Sequence, residues 1–391
     1  MMNMRTLILS LLICVTLGAG AQVNTRKPFG FAVCTSMTDA TPYRLTGGGK
    51  GRSITLRSDG QDMRQRIMDA INNYDVIVFD GKGGDFVVSS TMYFSDIRNK
   101  TIRGINNARI CTRLAFTKDI HQKLDSIGVK RLSTQAGKEP FVLSNGNRVK
   151  EECEAAVRQF LIDYLDDERE TFRRCGLFAI GGAENIIMQN LQLVGPGAMD
   201  ISGDDLLTLT RGSRHLWIDH VDFLDGVDGN FDINSYSDLI TVSWCHFHYS
   251  DRTYVHANTN LIGSNDNGER NGEDALNVTF AYCHWGKGCN QRMPMVRFGT
   301  IHLLNCFYDC VDNHMAVNPR RHSEVLIEGC FFAPGVKKIF SASDDATSYV
   351  FRGNIYSEKF HQPADRGSVS IPYKYKAVDA GRVPGLFGKK K

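Results

Sequence analysis

The second half of the chain repeats one short pattern, in which apolar residues alternate with polar ones on both sides of an Asn, His or Cys. Seven segments follow this template, and their marked residues are Asn190, His220, Cys245, Cys283, Cys306, Cys330 and Asn354. Successive marks lie 23 to 38 residues apart, which is typical of a solenoid repeat. Because the apolar runs have period two and are rich in Val, Ile and Phe, they indicate strands. The repeat therefore predicts an all-β protein, a parallel β-helix with one coil per repeat.

The marked residues should lie at the same corner of each coil and point inward. Buried cysteine behaves as a small apolar residue, so we interpret Cys245, Cys283, Cys306 and Cys330 as a column of free thiols. The longer intervals should hold loops on one face, and loops on a rigid scaffold often carry function. Histidines beside these corners, such as His246 and His284, fit a structural role better than a catalytic one.

The first half of the chain fits the repeat less well. Residues 75–80, 86–88 and 101–104 look like early coils, and residues 64–73 like a short capping helix. From about 112 to 174 the sequence is charged and has apolar residues at helical spacing, which predicts an α-helical insertion packed on the outside. The sequence leaves open a disulfide between Cys111 and Cys175, and the state of Cys153, Cys289 and Cys310.

The N-terminus has the features of a secretory signal peptide. An apolar run from Leu7 to Leu17 precedes the small residues Ala19-Gly20-Ala21, and this run is too short to cross a bilayer. We expect residues 1–21 to be removed after Ala21, which leaves one domain over residues 22–391. The mature protein should then be secreted or periplasmic.

The charge distribution bears on possible partners. The formal net charge is only +3, and the one basic run is the tail at Lys389–Lys391. Scattered basic residues do not predict binding to nucleic acid. No later stretch is long and apolar enough for membrane insertion, and we expect a monomer.

Two arginines stand five residues apart in the stretch Arg292-Met-Pro-Met-Val-Arg297. Pro294 should hold the preceding backbone extended, so that the two guanidinium groups project at a fixed spacing. Guanidinium groups match carboxylates, which suggests an anionic ligand. A solvated surface pair would produce the same pattern, and the stretch alone does not separate the two.

Three aspartates should meet one coil apart. Asp228 and Asp232 follow the second coil, and Asp205 lies one coil earlier. Neighbouring coils stack at about 4.8 Å, so these carboxylates could share a cleft and would then need a cation. Ca²⁺, which takes oxygen ligands, fits this set outside the cell. Ordinary Asp-Gly turns explain the same residues equally well.

At this point the sequence resembles the pectate lyases of polysaccharide lyase family 1. The resemblance covers roughly residues 29–110 and 176–335. It rests on motifs in the family's order: Leu216-Trp-Ile-Asp-His220, Asp228-Gly-x-x-Asp232, Asp238-x-Ile-Thr-Val-Ser243, Arg292-x-Pro-x-x-Arg297-Phe-Gly and Ile301-His302-x-x-Asn305.

The resemblance implies a right-handed parallel β-helix and calcium-dependent β-elimination of polygalacturonate. By motif, Asp205, Asp228 and Asp232 correspond to the calcium ligands, and Arg292 to the base that removes a proton from C5 of the sugar. Arg297 corresponds to an anchor for a substrate carboxylate. Arg252 stands where the family usually has Lys, so it should bind substrate as a fork rather than as a point charge.

Two alternatives remain at this stage. A pectin lyase acts on methyl-esterified chains without calcium, but such enzymes replace the calcium-site carboxylates, whereas this chain keeps all three aspartates. A non-catalytic β-helix that binds glycans would keep the repeat. Such a protein would have no need of Arg292 together with the three aspartates.

Overall fold

The strands of this chain pair into three parallel sheets that form the faces of a right-handed β-helix. The structure is a computed structural model, and it describes residues 27–39, 41–126, 130–131, 141–142, 150–356 and 359–388. The predicted signal peptide, residues 1–21, lies outside the described residues. The predicted β-helix with a helical insertion is confirmed.

Each sheet contains one short strand from successive coils. The ten-stranded sheet consists, in spatial order, of β1 (Ser53–Leu56), β2 (Val76–Asp80), β5 (Arg98–Ile105), β10 (Glu184–Gln189), β13 (Arg214–Asp219), β16 (Asp238–Ser243), β19 (Val278–Ala281), β22 (Thr300–Leu304), β25 (Glu324–Glu328) and β27 (Ser348–Arg352). The eight-stranded sheet consists of β3 (Phe86–Val88), β6 (Arg109–Thr112), β11 (Gln192–Val194), β14 (Asp222–Leu224), β17 (His246–His248), β20 (His284–Trp285), β23 (Phe307–Tyr308) and β26 (Phe331–Phe332). The seven-stranded sheet consists of β4 (Met92–Ser95), β9 (Phe178–Gly181), β12 (Leu207–Thr210), β15 (Phe231–Ile233), β18 (Leu261–Ile262), β21 (Met295–Val296) and β24 (Asn318–Pro319).

The register of the ten-stranded sheet stacks the inward apolar residues of successive coils. Ile186 pairs with Leu216, which pairs with Ile240, and all three side chains are fully buried. Each coil runs through the three sheets in turn, as in β10, β11 and β12, before the next coil begins at β13. The core is therefore one continuous apolar column along the β-helix axis.

The predicted thiol column is present inside this core. The side chains of Cys245, Cys283, Cys306 and Cys330 are fully buried and free. The Sγ atoms of Cys283, Cys306 and Cys330 each lie 3.4 Å from a carbonyl oxygen of the preceding coil, and so each thiol can donate a hydrogen bond there. Burial raises the pKa of the Cys283 and Cys306 thiols well above the ordinary value, which keeps them protonated and unreactive.

The inward assignment was wrong for the first two marked residues. Asn190 and His220 are exposed and have φ of 55° and 51°, a left-handed conformation that Asn and His tolerate better than most residues. The inward residues of those coils are their successors, Leu191 and Val221. Each corner thus contains a left-handed residue followed by an inward one. The sequence template marked the left-handed residue at Asn190 and His220, but the inward residue at the four cysteines.

Five α-helices and four 3₁₀ helices complete the described part of the chain. The α-helices are α1 (Arg64–Asn73), α2 (Lys118–Ser126), α3 (Lys150–Leu165), α4 (Gly268–Asn271) and α5 (Val383–Phe387). The 3₁₀ helices are Gly30–Val33, Gly81–Gly83, Thr171–Arg174 and Ala380–Arg382. The predicted capping helix is α1, whose buried face joins the main core. No helix of the described residues is long and apolar enough to span a membrane.

The insertion lies between β6 and β9 and contains α2, α3 and a short antiparallel pair of strands, β7 (Lys130–Arg131) and β8 (Phe141–Val142). Cys111 and Cys175, which flank it, are both free, so the disulfide that the sequence left open does not form. Cys289 and Cys310 are also free. The side chain of Cys153 lies outside the described residues.

Candidate active site

The three predicted aspartates come together at the N-terminal ends of two central strands of the seven-stranded sheet. Asp205 lies two residues before β12, Asp232 lies on β15, and Asp228 lies on the loop before β15. A Cβ atom placed on Gly229 would lie 2.6 Å from Asp205 Oδ1 and 3.5 Å from Asp232 Oδ1. Both carboxylates therefore border the space that the missing side chain of Gly229 leaves open.

This cluster holds more negative charge than its buried position favours. Burial, followed by the charges of Asp232 and Asp228, raises the pKa of Asp205 well above its ordinary value. Burial likewise raises the pKa of Asp232 to about 7, although the positive charge of Arg292 opposes this rise. Close carboxylates in a desolvated site bind either a proton or a cation, and the cluster has these properties.

Ca²⁺ fits this donor set. All the donors are carboxylate oxygens, which Ca²⁺ prefers, and the gap over Gly229 lies between those of Asp205 and Asp232. A bound divalent cation would also compensate the charge that now raises the pKa of Asp205 and Asp232. Asp205, Asp228 and Asp232 are the residues that would hold it.

Arg292 lies beside these carboxylates, before β21 and two coils after Asp232. Its backbone oxygen accepts hydrogen bonds from Asn260 N, at 2.7 Å, and from the Thr259 hydroxyl. Arg292 has a φ of 61°, in the left-handed region, so the predicted extended backbone was wrong at this residue. Its buried Nε makes no hydrogen bond to any described residue. Such a donor is poised for an acceptor that arrives with a ligand.

The sequence did not predict a buried histidine bridge beside the cluster. His256 Nδ1 lies 2.7 Å from Asp200 Oδ1, and its Nε2 lies 2.9 Å from Asp228 Oδ1. Burial alone would lower the pKa of His256, but the hydrogen bonds and charges of the two aspartates outweigh it and raise the pKa to about 9. A signal did exist: Tyr254-Val-His-Ala257 differs from the Leu-Ile-Gly that usually follows the position of Arg252 in the family that the sequence resembles.

The other two predicted arginines contact other groups. Arg297 Nε donates to Asp266 Oδ1 at 2.6 Å, and its Nη1 donates to Gly263 O at 3.1 Å. Arg252 is exposed, and its charge is close enough to oppose the raised pKa of the Cys111 thiol. The structure therefore brings Arg292 to the three aspartates, and holds Arg297 and Arg252 at other positions.

The loops that carry Asp200, Asp228 and His256 rest on the helical insertion. Their apolar neighbours pack in one cluster with residues of α2, α3 and the adjoining segments. The loop members are Met199, Ile201, Val227, Tyr254 and Val255, and the buried insertion members are Phe116, Ile120, Leu124, Val157, Leu161 and Phe172. Tyr254 also donates from its hydroxyl to Asp125 Oδ1 at 2.6 Å. The insertion thus supports one side of the cleft directly.

Comparisons with known proteins bear on this site. Residues 170–378 match the family model described as pectate lyase. Pectate lyase A of Emericella nidulans is 30% identical over 207 residues, which covers 51% of this chain and 59% of that protein. A probable pectate lyase B of Aspergillus terreus is 31% identical over 231 residues, 54% of this chain and 67% of that one. The chain thus spans little more than half to two thirds of these relatives.

A solved structure shares the fold. Pectate lyase C from Erwinia chrysanthemi, at pH 9.5 with 30 mM Ca²⁺, superposes with a TM-score of 0.52 and 14% sequence identity over 92% of this chain and 94% of that one. At this identity the likeness concerns the fold alone. The family model, in contrast, covers more than half of this chain, including the three aspartates and Arg292. The chain therefore belongs to the pectate lyase family.

Proposed function

We propose that this protein is a secreted enzyme that cleaves α-1,4-linked polygalacturonate by calcium-dependent β-elimination and releases 4,5-unsaturated oligogalacturonides. The observation that carries the proposal is the set of three carboxylates close enough to raise one another's pKa, with the charge of Arg292 beside them. Family membership supports it, because the relatives carry the name pectate lyase. The Erwinia structure with Ca²⁺ supports the choice of cation.

Asp205, Asp228 and Asp232 would bind the cation and position it against a uronate carboxylate of the polymer. When bound, Ca²⁺ supplies Lewis-acid stabilisation of the negative charge that develops on that carboxylate as C5 loses its proton. The sugar carboxylate would then approach the space over Gly229, and Arg292 would act on the C5 hydrogen from its position beside the aspartates.

Arg292, with its guanidinium in the neutral form, would take the proton from C5. The electron pair of the C5–H bond then forms the C4–C5 double bond, the C4–O bond breaks, and the departing oxygen takes a proton from water. An arginine is a strong base once neutral, since its ordinary pKa exceeds about 12. The buried Nε of Arg292, which has no hydrogen-bond partner among the described residues, would then be available to a group of the sugar.

Arg297 and Arg252 would bind further uronate carboxylates along the chain. The guanidinium of Arg297 uses two of its N–H donors on Asp266 and Gly263, and a guanidinium has five such donors. A substrate carboxylate could therefore bind Arg297 without breaking the existing contacts. Arg252, which is exposed, would contribute a more screened and weaker contact.

The decisive experiment incubates the protein with polygalacturonate or with highly methyl-esterified pectin, each with Ca²⁺ or with a chelator. We expect ultraviolet absorbance of an unsaturated uronate to rise only for polygalacturonate with Ca²⁺. Cleavage of esterified pectin in chelator would instead identify a pectin lyase. The absence of cleavage of both polymers over a broad alkaline pH range would refute the lyase assignment.

A further inference from the structure

The outer surface of the eight-stranded sheet carries a row of partly buried polar side chains. Asp222 on β14, His246 on β17 and His284 on β20 occupy equivalent positions in the register. His248 follows His246 by two residues, so it points to the same face of the sheet. The side chains of Asp222, His246 and His248 are between 22% and 28% exposed, so that solvent reaches them only at one side.

Asp222, His246 and His248 converge on one point. Asp222 Oδ1 lies 2.9 Å from His246 Nδ1 and 3.0 Å from His248 Nε2. One ligand atom from each of the three residues lies within 4.8 Å of the others. His248 Nε2 is buried, and despite its closeness to the carboxylate it makes no hydrogen bond in the described part of the chain. A shared ion would give this nitrogen a partner.

A carboxylate and two imidazoles can all supply a lone pair to one ion, and imidazole binds metals through the ring nitrogen that carries no proton.

The neighbouring coil packs against the other nitrogen of the His246 ring. Gly286 follows β20, and a Cβ atom at Gly286 would lie only 2.7 Å from His246 Nε2, so the absence of a side chain there lets the ring fit. His284 stacks on His246 with ring centroids 4.5 Å apart, and its Nε2 lies 2.8 Å from Asp309 Oδ1. His284 is therefore committed to another carboxylate, and His246 Nδ1 remains directed at Asp222.

We propose that Asp222, His246 and His248 form a second metal site, which binds Zn²⁺ or a similar divalent transition ion. Two imidazoles and one carboxylate are ligands of this class of metal, whereas Ca²⁺ requires a set of oxygens. The site lies on a different sheet from Asp205, Asp228 and Asp232, so it is separate from the cleft. An ion at this site would link the two adjacent coils that contain β14 and β17, and would stabilise their stacking.

The test uses the mature protein, stripped with a chelator and dialysed, in buffer that contains excess Ca²⁺ to saturate the cleft. Zn²⁺ affinity is measured by competition with a chromogenic zinc chelator. We expect wild type to bind one equivalent, and His248→Asn and Asp222→Asn to bind at least about tenfold more weakly. His284→Asn is the matched control, since it removes a ring of the same row outside the trio, and it should bind as wild type does.

Two further measurements on wild type decide the question even if a variant does not fold. Co²⁺ should give visible absorption bands of a site with nitrogen ligands, and crystals soaked in Zn²⁺ should show anomalous density at Asp222. Absence of both signals, or equal Zn²⁺ affinity in wild type and a folded His248→Asn protein, would overturn the site. Cleavage of polygalacturonate should be the same in His248→Asn and wild type, so this result is independent of the proposed lyase activity.

Discussion

Asp232 and Arg292 lie on the side of the cleft that paired backbone forms, whereas Asp228 and His256 lie on loops that rest on the helical insertion. On the first side, position follows from register: Thr208 pairs with Asp232, and the backbone oxygen of Arg292 is bonded to the preceding coil. On the second side, position depends on an apolar contact with helices that do not belong to the repeat. A substitution should therefore affect neighbouring residues differently on the two sides of the cleft.

The two sides also differ in what fixes their side chains. Asp232 accepts a hydrogen bond from the backbone of Leu261, on the next coil, at 2.9 Å, so the scaffold itself orients it. Asp228 is oriented by the ring of His256, which in turn contacts Asp200. Removing one loop residue can therefore disturb its neighbours, whereas removing a coil residue should have a local effect.

The largest expected effect comes from the coil side. Arg292→Lys should lower kcat on polygalacturonate by about 10²- to 10⁴-fold, the range for loss of a positioned base, because the ammonium group is shorter and differently shaped. Binding of the polymer should persist, since the aspartates remain. The measurements are initial rates and a polymer-retention assay.

Arg214→Lys makes the same chemical change on the ten-stranded sheet, where Arg214 forms an exposed ion pair with Glu184. This control should keep wild-type rates. If Arg292→Lys retained full turnover, Arg292 would not be the base. If Arg292→Lys also failed to fold, as judged by circular dichroism, the position of the coil side would depend on this side chain and not only on backbone pairing.

An intermediate effect is expected from the insertion. Leu161→Ala removes a fully buried side chain from the cluster that supports the loops, and Leu303→Ala removes an equivalent side chain from the coil core. Each should cost about 2 to 5 kcal/mol of unfolding free energy. Only Leu161→Ala should also weaken Ca²⁺ binding, by about 10- to 100-fold, as does loss of groups that orient metal ligands.

Urea unfolding and calorimetric titration with Ca²⁺ measure the two quantities for both variants. Equal Ca²⁺ affinities in Leu161→Ala and Leu303→Ala would mean that the insertion only covers the β-helix. A loss of affinity in both would mean that the site follows global stability, and the contrast between the two sides would disappear.

This contrast also explains what the sequence could predict. Period-two alternation and the spacing of the coils predicted the sheets and the column at Cys245 to Cys330, because register repeats each local choice many times. The convergence of Asp205 with Asp232 followed from the same stacking. Asn190 and His220 were assigned to the interior because a corner contains a buried and a left-handed position side by side, and both accept polar residues.

The loop side could not be predicted in the same way. His256 reaches Asp228 and Asp200 through a fold of the loop that has no period, and its position depends on Val255 and Tyr254 packing on the insertion. A departure from the family pattern at residues 254–257 marked the place, but gave no partner for the histidine. The roles of Arg252 and Arg297 stay predictions, because their contacts lie outside the carboxylate cluster.

The smallest expected effect separates the two sides by pH. The pKa of Asp232 is raised to about 7, above the unfolded value of about 4, so in the absence of metal this group lowers stability as pH rises from about 4 through 7. Ca²⁺ must displace the proton, and its affinity should therefore rise by up to about tenfold per pH unit below pH 7 and then level off. His256, whose pKa is raised to about 9, keeps its proton throughout that range and should add a second rise in affinity only above it.

Calorimetric titrations from pH 5.5 to 10 should show both rises in Ca²⁺ affinity. His256→Asn should remove the upper rise, which reports the loop side, and leave the lower rise, which reports Asp232. If affinity instead rose in one step with pH, and His256→Asn shifted that whole step, the two sides of the cleft would titrate as one unit.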